Sequence, residues 1–523
     1  MWITLDITSK PDRRYREVEM ELLTERYSDR IVGVHSCYDR IIIQGTLPHV
    51  CYAEGMTAFL YQKKIRVFDF KKDFAQPLRD ALIENAKGIA EANNVAIEYL
   101  NRKHIRKEDR IREILKQRGE HPGLVHIFSA LESCTSYKPW HDKQTHKTFL
   151  KYGSGMCLHY YFYFIDEVFG LMYVRVPTWV PFRLQVYLNG HAWLASKLRR
   201  KGIECRLMDN AMVSVGDWDR AQQLSDDVAV KQLHRALDRF AVKYCPVMKV
   251  FREPYHWSIM QAEYATDIIF KRKEDLQAIY ETIIRTAIHT VKPEHVATFL
   301  GRKLNGNYQD EVGNDFNTRI EGTRLRHSMG KASIKLYDKF GLILRIETVV
   351  NDVSFFKHYR EVVHRNGTTE KKYAQMRKGI YNLNPLRELL CAANRRYLEF
   401  ISTLEDNSTG ARKMERITQT VKENGHTYKG FNFFNHDDLQ LLRVIMSGEH
   451  NVSGFQNKNL RMKITDKTSA QISRTLKRLR THGMIKKIGK TYKYYLTSFG
   501  KEAICLALKL RELYIIPQLQ SQT

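Results

Sequence analysis

The sequence predicts an α+β protein of more than one domain, a mixed α/β core followed by a C-terminal winged helix-turn-helix. Three observations lead there. At 523 residues the chain is too long for one ordinary hydrophobic core. Its middle reads as strand, strand, helix, strand. Near its C-terminal end a helical period gives way to two short β-like runs.

Residues 1–125 form the first predicted domain, of mixed α/β type. It holds one strand-like run, Arg40 to Gln44, and two helices, Phe74 to Asn94 and Lys103 to Gln117. In the second helix Ile105, Ile111, Ile114 and Leu115 are surrounded by Arg106, Lys107, Arg110, Arg112 and Lys116. Glu108, Asp109, Glu113 and Glu120 dilute those cations, so the pattern is that of an amphipathic helix with a solvated charged face.

Residues 126–404 form the predicted core. Leu158 to Ile165 is an aromatic strand ending at Asp166, Glu167 to Gly170 a turn, and Leu171 to Val176 the returning strand. Pro181 opens a helix that runs to about Lys201, with Val186, Trp193, Leu194 and Leu198 inward. Asn189-Gly190 marks a break that would turn part of that helix into strand. Ile203 to Met208 is the next strand, closed by Asp209. A helix from about Ser258 to Lys271 sets Glu263 and Asp267 four residues apart on one face. Farther on, Ser333 to Tyr337 meets Leu342 to Val350 across the Asp338-Lys339-Phe340-Gly341 turn. Alternation puts Lys335 and Tyr337 on one face, and Arg345 and Glu347 on one face of the partner strand.

Residues 405–430, rich in Asn, Thr, Lys and Gly and poor in apolar residues, read as a linker. Residues 431–523 form the winged domain. Helices from about Asp437 to Ser447, with Asn435 as cap, and from Asn457 to Ile464 precede a helix that starts at Ser469. In that helix Ala470, Ile472, Leu476 and Leu479 recur at helical spacing and leave Gln471, Arg474, Thr475 and Arg478 opposite. Gly483 is the C-cap. Met484 to Ile488 and Thr491 to Leu496 then form the hairpin of the wing, joined by Gly489-Lys490. Ala503 to Tyr514 is an apolar terminal helix that either closes the domain or pairs with a second copy to give a homodimer.

Charge says what such a domain would touch. Between Lys458 and Lys493 twelve Lys/Arg face one acid, Asp466. That is +11 of a net +27, so the remaining +16 is spread over the rest of the chain. Basicity this general favours a long polyanion, DNA or RNA, over one docking patch. Gln471, Arg474, Thr475, Lys477 and Arg478 on the helix and Lys486, Lys487, Lys490 and Lys493 on the wing are the candidate nucleic-acid contacts. A membrane surface is the competing polyanion, but no apolar run reaches spanning length, and Asp166 and Glu167 interrupt the richest stretch, Met156 to Val176. The first fourteen residues lack the order of a signal peptide, so a cytoplasmic, nucleoid-associated location is expected. Eight cysteines lie scattered without a C-x-x-C pair, which argues for reduced thiols and against a zinc finger. No phosphate-binding G-x-x-x-x-G-K-[ST] occurs.

Two-metal phosphoryl transfer needs several carboxylates together, because hard oxygen ligands hold Mg2+ or Mn2+ against the attacking and leaving oxygens. Asp166, Asp209 and Glu263 occur in the order strand, strand, helix. That order resembles the ribonuclease-H-like fold of many transposases and recombinases, over about 120 residues, and implies that these three acids are both the catalytic groups and the metal ligands. A second block, Gly322 to Glu347, with its K-x-Y-D-K followed by L-R-x-E, resembles the strand pair of replication initiators of rolling-circle plasmids and filamentous phages. Those enzymes nick DNA through a tyrosine, which implies Tyr337 as the alternative nucleophile and His327 or Glu347 on the metal side. Over nearly its full length the chain also resembles a widespread bacterial family of uncharacterised function with a C-terminal winged helix. The marks are Leu188-Asn-Gly-His-Ala-Trp-Leu194, Gln261-Ala-Glu-Tyr-Ala-Thr-Asp267, Phe299-Leu-Gly-Arg-Lys303 and Ile334-Lys-Leu-Tyr-Asp-Lys339. This implies a bacterial, mobile-element setting and brings no activity with it.

The expectation is therefore a DNA-processing protein, in which the core cuts or holds the strand and the winged domain selects the site. The alternatives are a non-catalytic winged-helix transcriptional regulator and a protein that binds a structured RNA.

Overall fold

One sheet of eleven strands organises residues 31–350. The structure, a computed structural model, describes residues 22–100, 106–304, 308, 311–319, 322–405, 407–447, 450, 454–489 and 491–520. The sheet strands are β1 (Ile31–Thr46), β2 (Ile97–Tyr99), β3 (Gly123–Asp142), β4 (Lys147–Asp166), β5 (Gly170–Pro177) and β6 (Leu184–Asn189). After a separate hairpin of β7 (Cys205–Met208) and β8 (Ala211–Val215) come β9 (His256–Phe270), β10 (Val312–Arg319), β11 (Gly322–Met329), β12 (Ala332–Lys339) and β13 (Ile343–Val350). The order across the sheet is β10-β11-β12-β13-β9-β1-β6-β5-β4-β3-β2. Neighbours run antiparallel except β2, which is parallel to β3.

One face of this sheet is apolar. Ile41 and Ile43 of β1, Val186 and Leu188 of β6, Phe162 and Phe164 of β4, Ile268 of β9 and Ile346 of β13 lie in a single buried cluster. Helices Ala53–Gln62, Val230–Tyr244, Lys273–Thr290 and Leu383–Glu405 add Leu60, Leu237, Ile283 and Leu390 to the same cluster. Each such side chain contributes about 1.5–3 kcal/mol by leaving water. A polar pin crosses the layer: fully buried Asn394 accepts from Thr348 Oγ1 at 2.6 Å and donates to the carbonyl oxygen of Tyr264 at 3.0 Å. It ties the long helix to β13 and β9 through groups that would otherwise be buried without partners.

The chain divides into two compact units, residues 1–405 and 406–523. Strand β1 is hydrogen-bonded between β9 and β6 in the first unit, so the boundary expected at residue 125 is no boundary. Three other expectations need correction. The segment from Ser258 to Lys271 is not a helix but most of β9, which lies between β1 and β13 with both faces buried over its C-terminal part. A strand covered on both sides loses its alternation and cannot be told from a helix by period. The helix expected from Pro181 starts only at Gly190, because residues 184–189 pair as β6; Asn189 caps it by accepting from Ala192 N at 2.8 Å. The strand closed by Asp209 is β7, in a hairpin outside the main sheet, so the order resembling ribonuclease H is not the order formed.

In the second unit the expected linker is structured as helix Asn407–Thr418 and a short hairpin of Val421–Glu423 with His426–Tyr428, and Ile417 is part of the unit's core. Helices His436–Ile445, Asn457–Lys463 and Ser469–Thr481 follow, then a hairpin of Ile485–Lys487 with Tyr494–Leu496, then helix Ser498–Leu510. Leu442, Ile445, Leu460, Ile472, Leu476, Leu479, Met484 and Ile504 form one core. Asn435 caps the first of these helices. The basic helix is capped by Thr468, one residue before the expected Ser469, with Gln471 reaching back to the Thr468 N–H at 2.7 Å. Gly483 ends the helix at φ +73°, a conformation that favours glycine. Among the described residues no helix is long and apolar enough to cross a membrane.

Candidate functional site

The second face of the sheet is polar where β12, β13, β9 and β1 lie side by side. Register places Tyr337 opposite Arg345 and Lys335 opposite Glu347, as alternation along the hairpin requires. Arg345 in turn lies opposite Asp267, Asp267 opposite His35, and Glu263 opposite Arg40. At the β1 bulge between Tyr38 and Arg40, Asp39 is the extra residue, and it joins Arg345 on this face.

Arg345 is the centre. Its guanidinium is completely buried and donates to both oxygens of Asp267, at 2.6 Å through Nε and 2.6 Å through Nη2. Through Nη1 it reaches Asp39 Oδ1 at 3.1 Å, and through Nη2 the carbonyl oxygen of Asn210 at 2.6 Å. The Asn210 carboxamide donates to Asp39 at 2.6 Å and accepts from Lys339. His191, at the start of the helix after β6, sets Nδ1 3.2 Å from Asp39 and Nε2 3.6 Å from Asp267. Burial alone would raise the two aspartates, but Arg345 and His191 outweigh it and hold both carboxyls well below the ordinary range. Burial works against a charged His191 too, yet Cys37, Asp267 and Asp39 bring it well above its ordinary value. His35, buried beside the charged His191, drops to about 3. Gly190 permits the approach: any Cβ there would collide with the carbonyl oxygen of Tyr38.

Next to this cluster three buried acids converge. Oxygens of Asp39, Glu263 and Glu347 lie within 4.8 Å of one another, a set that could hold a metal ion. Glu347 Oε2 accepts from Lys335 Nζ at 3.0 Å and from Tyr337 Oη at 3.1 Å. Glu263 accepts from Arg40 and, at 2.9 Å, from Gln261. Burial and the neighbouring Glu347 raise the Glu263 carboxyl to about 7 against the pull of Lys335 and Arg40.

Of the three acids expected to form the catalytic and metal set, only Glu263 belongs to this group. Asp166 is a turn residue that accepts from Val168 N at 2.9 Å and Phe169 N at 3.1 Å, closing the β4–β5 hairpin. Asp209 sits at φ +52° in the β7–β8 turn, half exposed and 3.6 Å from Lys339, at the rim of the Arg345 cluster. Tyr337 is poorly suited as a nucleophile, since burial and Glu347 raise its hydroxyl well above the ordinary range. His327 is held between Asn314 at 2.7 Å and Tyr397 at 2.8 Å, and burial lowers it to about 4, so it is a packed core histidine. Asp39 gave no sequence signal, since its partner Arg345 lies 306 residues away.

The second unit sorts its expected contacts by their neighbours. Arg478 does not face outward: it grips Asp438 with two bonds, 2.8 and 3.0 Å, donates to the carbonyl oxygens of Lys429 and Gly430, and lies 3.8 Å over the Phe431 ring. It fastens the basic helix to the helix at 436–445 and is a structural arginine. Gln471 is exposed but is engaged in the capping box, and Thr475 Oγ1 returns to the carbonyl oxygen of Gln471 at 3.0 Å. Arg474 and Lys486 are exposed; Lys477, Lys487 and Lys493 are half-buried beside Tyr428, Tyr492 and Tyr495. Lys490 lies outside the described residues. Comparison of the chain with protein-family models, curated proteins and solved structures finds no match in any of the three.

Two outcomes are expected. Arg345→Met leaves two buried carboxylates without their cation and costs about 3–5 kcal/mol in denaturant unfolding; Arg345→Lys, without the planar fork, does not restore it. With chelator present, the folded chain holds a proton on Glu263 that the unfolded chain has lost between about pH 4.5 and 7, so this group's contribution to stability falls as pH rises through that window. Thermal melts of Glu263→Gln across those pH values should show a flatter slope than the parent.

Proposed function

We propose that this protein binds nucleic acid, DNA in the first instance, through a winged helix-turn-helix in its second unit, and that Asp39, Glu263 and Glu347 hold Mg2+ or Mn2+ for phosphoryl transfer on that strand. The observation that carries the binding reading is the helix at 469–481 followed by its hairpin, with Arg474 and Lys486 exposed and twelve cations against one acid between residues 458 and 493. Near-absence of acids is not needed for solubility, and it suits a surface that replaces counterions along a phosphate backbone. For the core, the donor chemistry fits a hard divalent ion: three carboxylates and no thiol. Burial and the neighbouring Glu347 hold Glu263 at about 7 even with Arg40 against it, and a divalent cation would favour its charged form.

One observation favours a second reading, a binding protein without catalysis. Each of the three acids already has a cation against it, Arg345 on Asp39, Arg40 on Glu263 and Lys335 on Glu347. Such pairing is also how a purely structural ion network closes.

Arg474→Ala and Lys486→Ala are each expected to weaken binding to DNA. The loss is about 1–3 kcal/mol where a base edge is read, or a reduction of about one in the salt slope where a phosphate is held. Arg478→Ala should instead lower the melting temperature of the unit. Unchanged affinity in both exposed variants removes the surface from the interface, and sequencing of co-purifying nucleic acid decides between DNA and RNA. Catalysis is tested by incubating single- and double-stranded DNA and RNA with the protein and Mg2+ or Mn2+. Metal-dependent nicking that disappears in Glu263→Gln is expected, and no cleavage under any of these conditions leaves the non-catalytic reading.

A further inference from the structure

A cavity of about 180 Å³ opens on the polar face of the sheet, beyond the carboxylates. Gln44, on its wall, lies four residues along β1 from Arg40 and on the same face, roughly 13 Å away at 3.3 Å per residue. Register sets Gln185 of β6 directly between Gln44 and Arg175 of β5, so three polar side chains form one row across neighbouring strands. Neither carboxamide makes a hydrogen bond to any described residue, though each carries two donors and an acceptor and is half-buried.

The remaining wall is apolar in part, through Pro177, Pro181, Leu184 and Met260, and its polar groups are unfinished in the same way. Arg175 is fixed by Glu132, at 3.0 Å through Nε and 2.7 Å through Nη2, and by Tyr161 at 3.1 Å, which leaves Nη1 without an acceptor among the described residues. Arg183 donates through Nη2 to the carbonyl oxygen of Cys51 at 3.1 Å, while its buried Nε has no partner. His159 is neutral near pH 7, because burial lowers it to about 4, and Nδ1 donates to the carbonyl oxygen of Cys157 at 3.0 Å. Its Nε2 is therefore an acceptor, with the Cys157 thiol 3.9 Å away as a weak donor. Trp179 is pinned through Nε1 to Ser136 Oγ at 2.9 Å, which fixes the plane of the indole at the cavity wall.

These groups select a chemistry. A bare anion would use the two arginines and leave the carboxamides and the indole without a role. A wholly apolar guest would leave two carboxamides and a buried guanidinium nitrogen unpaired, at a cost in affinity. A planar heterocycle with alternating donors and acceptors on its edge, carrying a phosphate, gives the carboxamides, the indole and the arginines each a partner. We propose that this cavity binds one unstacked nucleotide, its base against Trp179, its edge read by Gln44 and Gln185, and its phosphate toward Arg175 and Arg183. The proposal deepens the nucleic-acid reading and rests on it for the source of the nucleotide, which is either a unit of a bound strand or a free nucleoside phosphate.

The experiment uses the full chain. Calorimetric titrations with the four ribonucleoside and four deoxyribonucleoside 5′-monophosphates, with ribose 5-phosphate as control, are run beside fluorescence anisotropy of a labelled single-stranded oligonucleotide. The variants are Gln44→Ala with Gln185→Ala, each of these alone, Trp179→Phe, and Arg474→Ala with Lys486→Ala. A monophosphate whose Kd rises at least about tenfold in the glutamine variants, with ribose 5-phosphate silent, supports the site with a free nucleotide as ligand. A similar loss seen only with the oligonucleotide supports it with a strand as ligand. Ribose 5-phosphate binding as well as the nucleotides, or glutamine variants with parental melting temperature and parental affinities throughout, overturns it. The two failures separate: oligonucleotide binding that responds only to Arg474→Ala with Lys486→Ala keeps the nucleic-acid reading and removes the cavity. A chain that binds monophosphates and no oligonucleotide keeps the cavity and removes that reading.

Discussion

A guanidinium without access to water sits where five segments of the chain meet. Arg345 on β13 is bonded to Asp267 on β9, Asp39 on β1 and the Asn210 carbonyl in the β7–β8 turn, and it lies 3.3 Å from His191 at the head of a helix. A charge taken out of water is expensive, and here two carboxylates and a carbonyl compensate it. The consequence is geometric. The bulge at Asp39, the turn at Asp209-Asn210 and the helix start at Gly190 must each be in place for these contacts to form, so the cluster couples them. The same pairing aligns Glu263 and Glu347, since both lie on strands whose register it pins.

The sheet then supplies a division of labour that follows from its period of two. Residues of one parity fill the core, and residues of the other parity run as rows of polar and aromatic groups from Lys335 to Arg175. Between the acids and the cavity lie Tyr173 and Tyr187, stacked at 4.9 Å with planes 4° apart. This face thus carries cations, carboxamides and rings at strand spacing.

Much of this was legible locally. Alternation alone gave the common faces of Lys335, Tyr337, Arg345 and Glu347, because a hairpin with a short turn leaves one register. Glu263 and Asp267 do share a face, but on a strand, where four residues is an even step, and not on the helix expected for them. What could not be read were the joins made at a distance. Asp39 has no local pattern, and β1 reaches β9 across more than two hundred residues, so the sequence offered Asp166 and Asp209 instead, acids whose position after a strand comes from turn chemistry.

The basic helix shows the same limit on a smaller scale. Arg474 and Arg478 are four residues apart, fall on one helical face, and are indistinguishable by pattern. Asp438 and the carbonyl oxygens of Lys429 and Gly430 claim Arg478, and nothing in the helix itself announces them. A cation is available to a polyanion only if the fold has not already used it. The surface at residues 469–493 is therefore narrower than its charge count: among the described residues Arg474 and Arg480 are exposed on the helix and Lys486 on the hairpin, and the tyrosines beside Lys477, Lys487 and Lys493 hold three more cations close to aromatic faces. Arg478, which pattern alone does not separate from Arg474, is spent on holding the helix that carries Arg474.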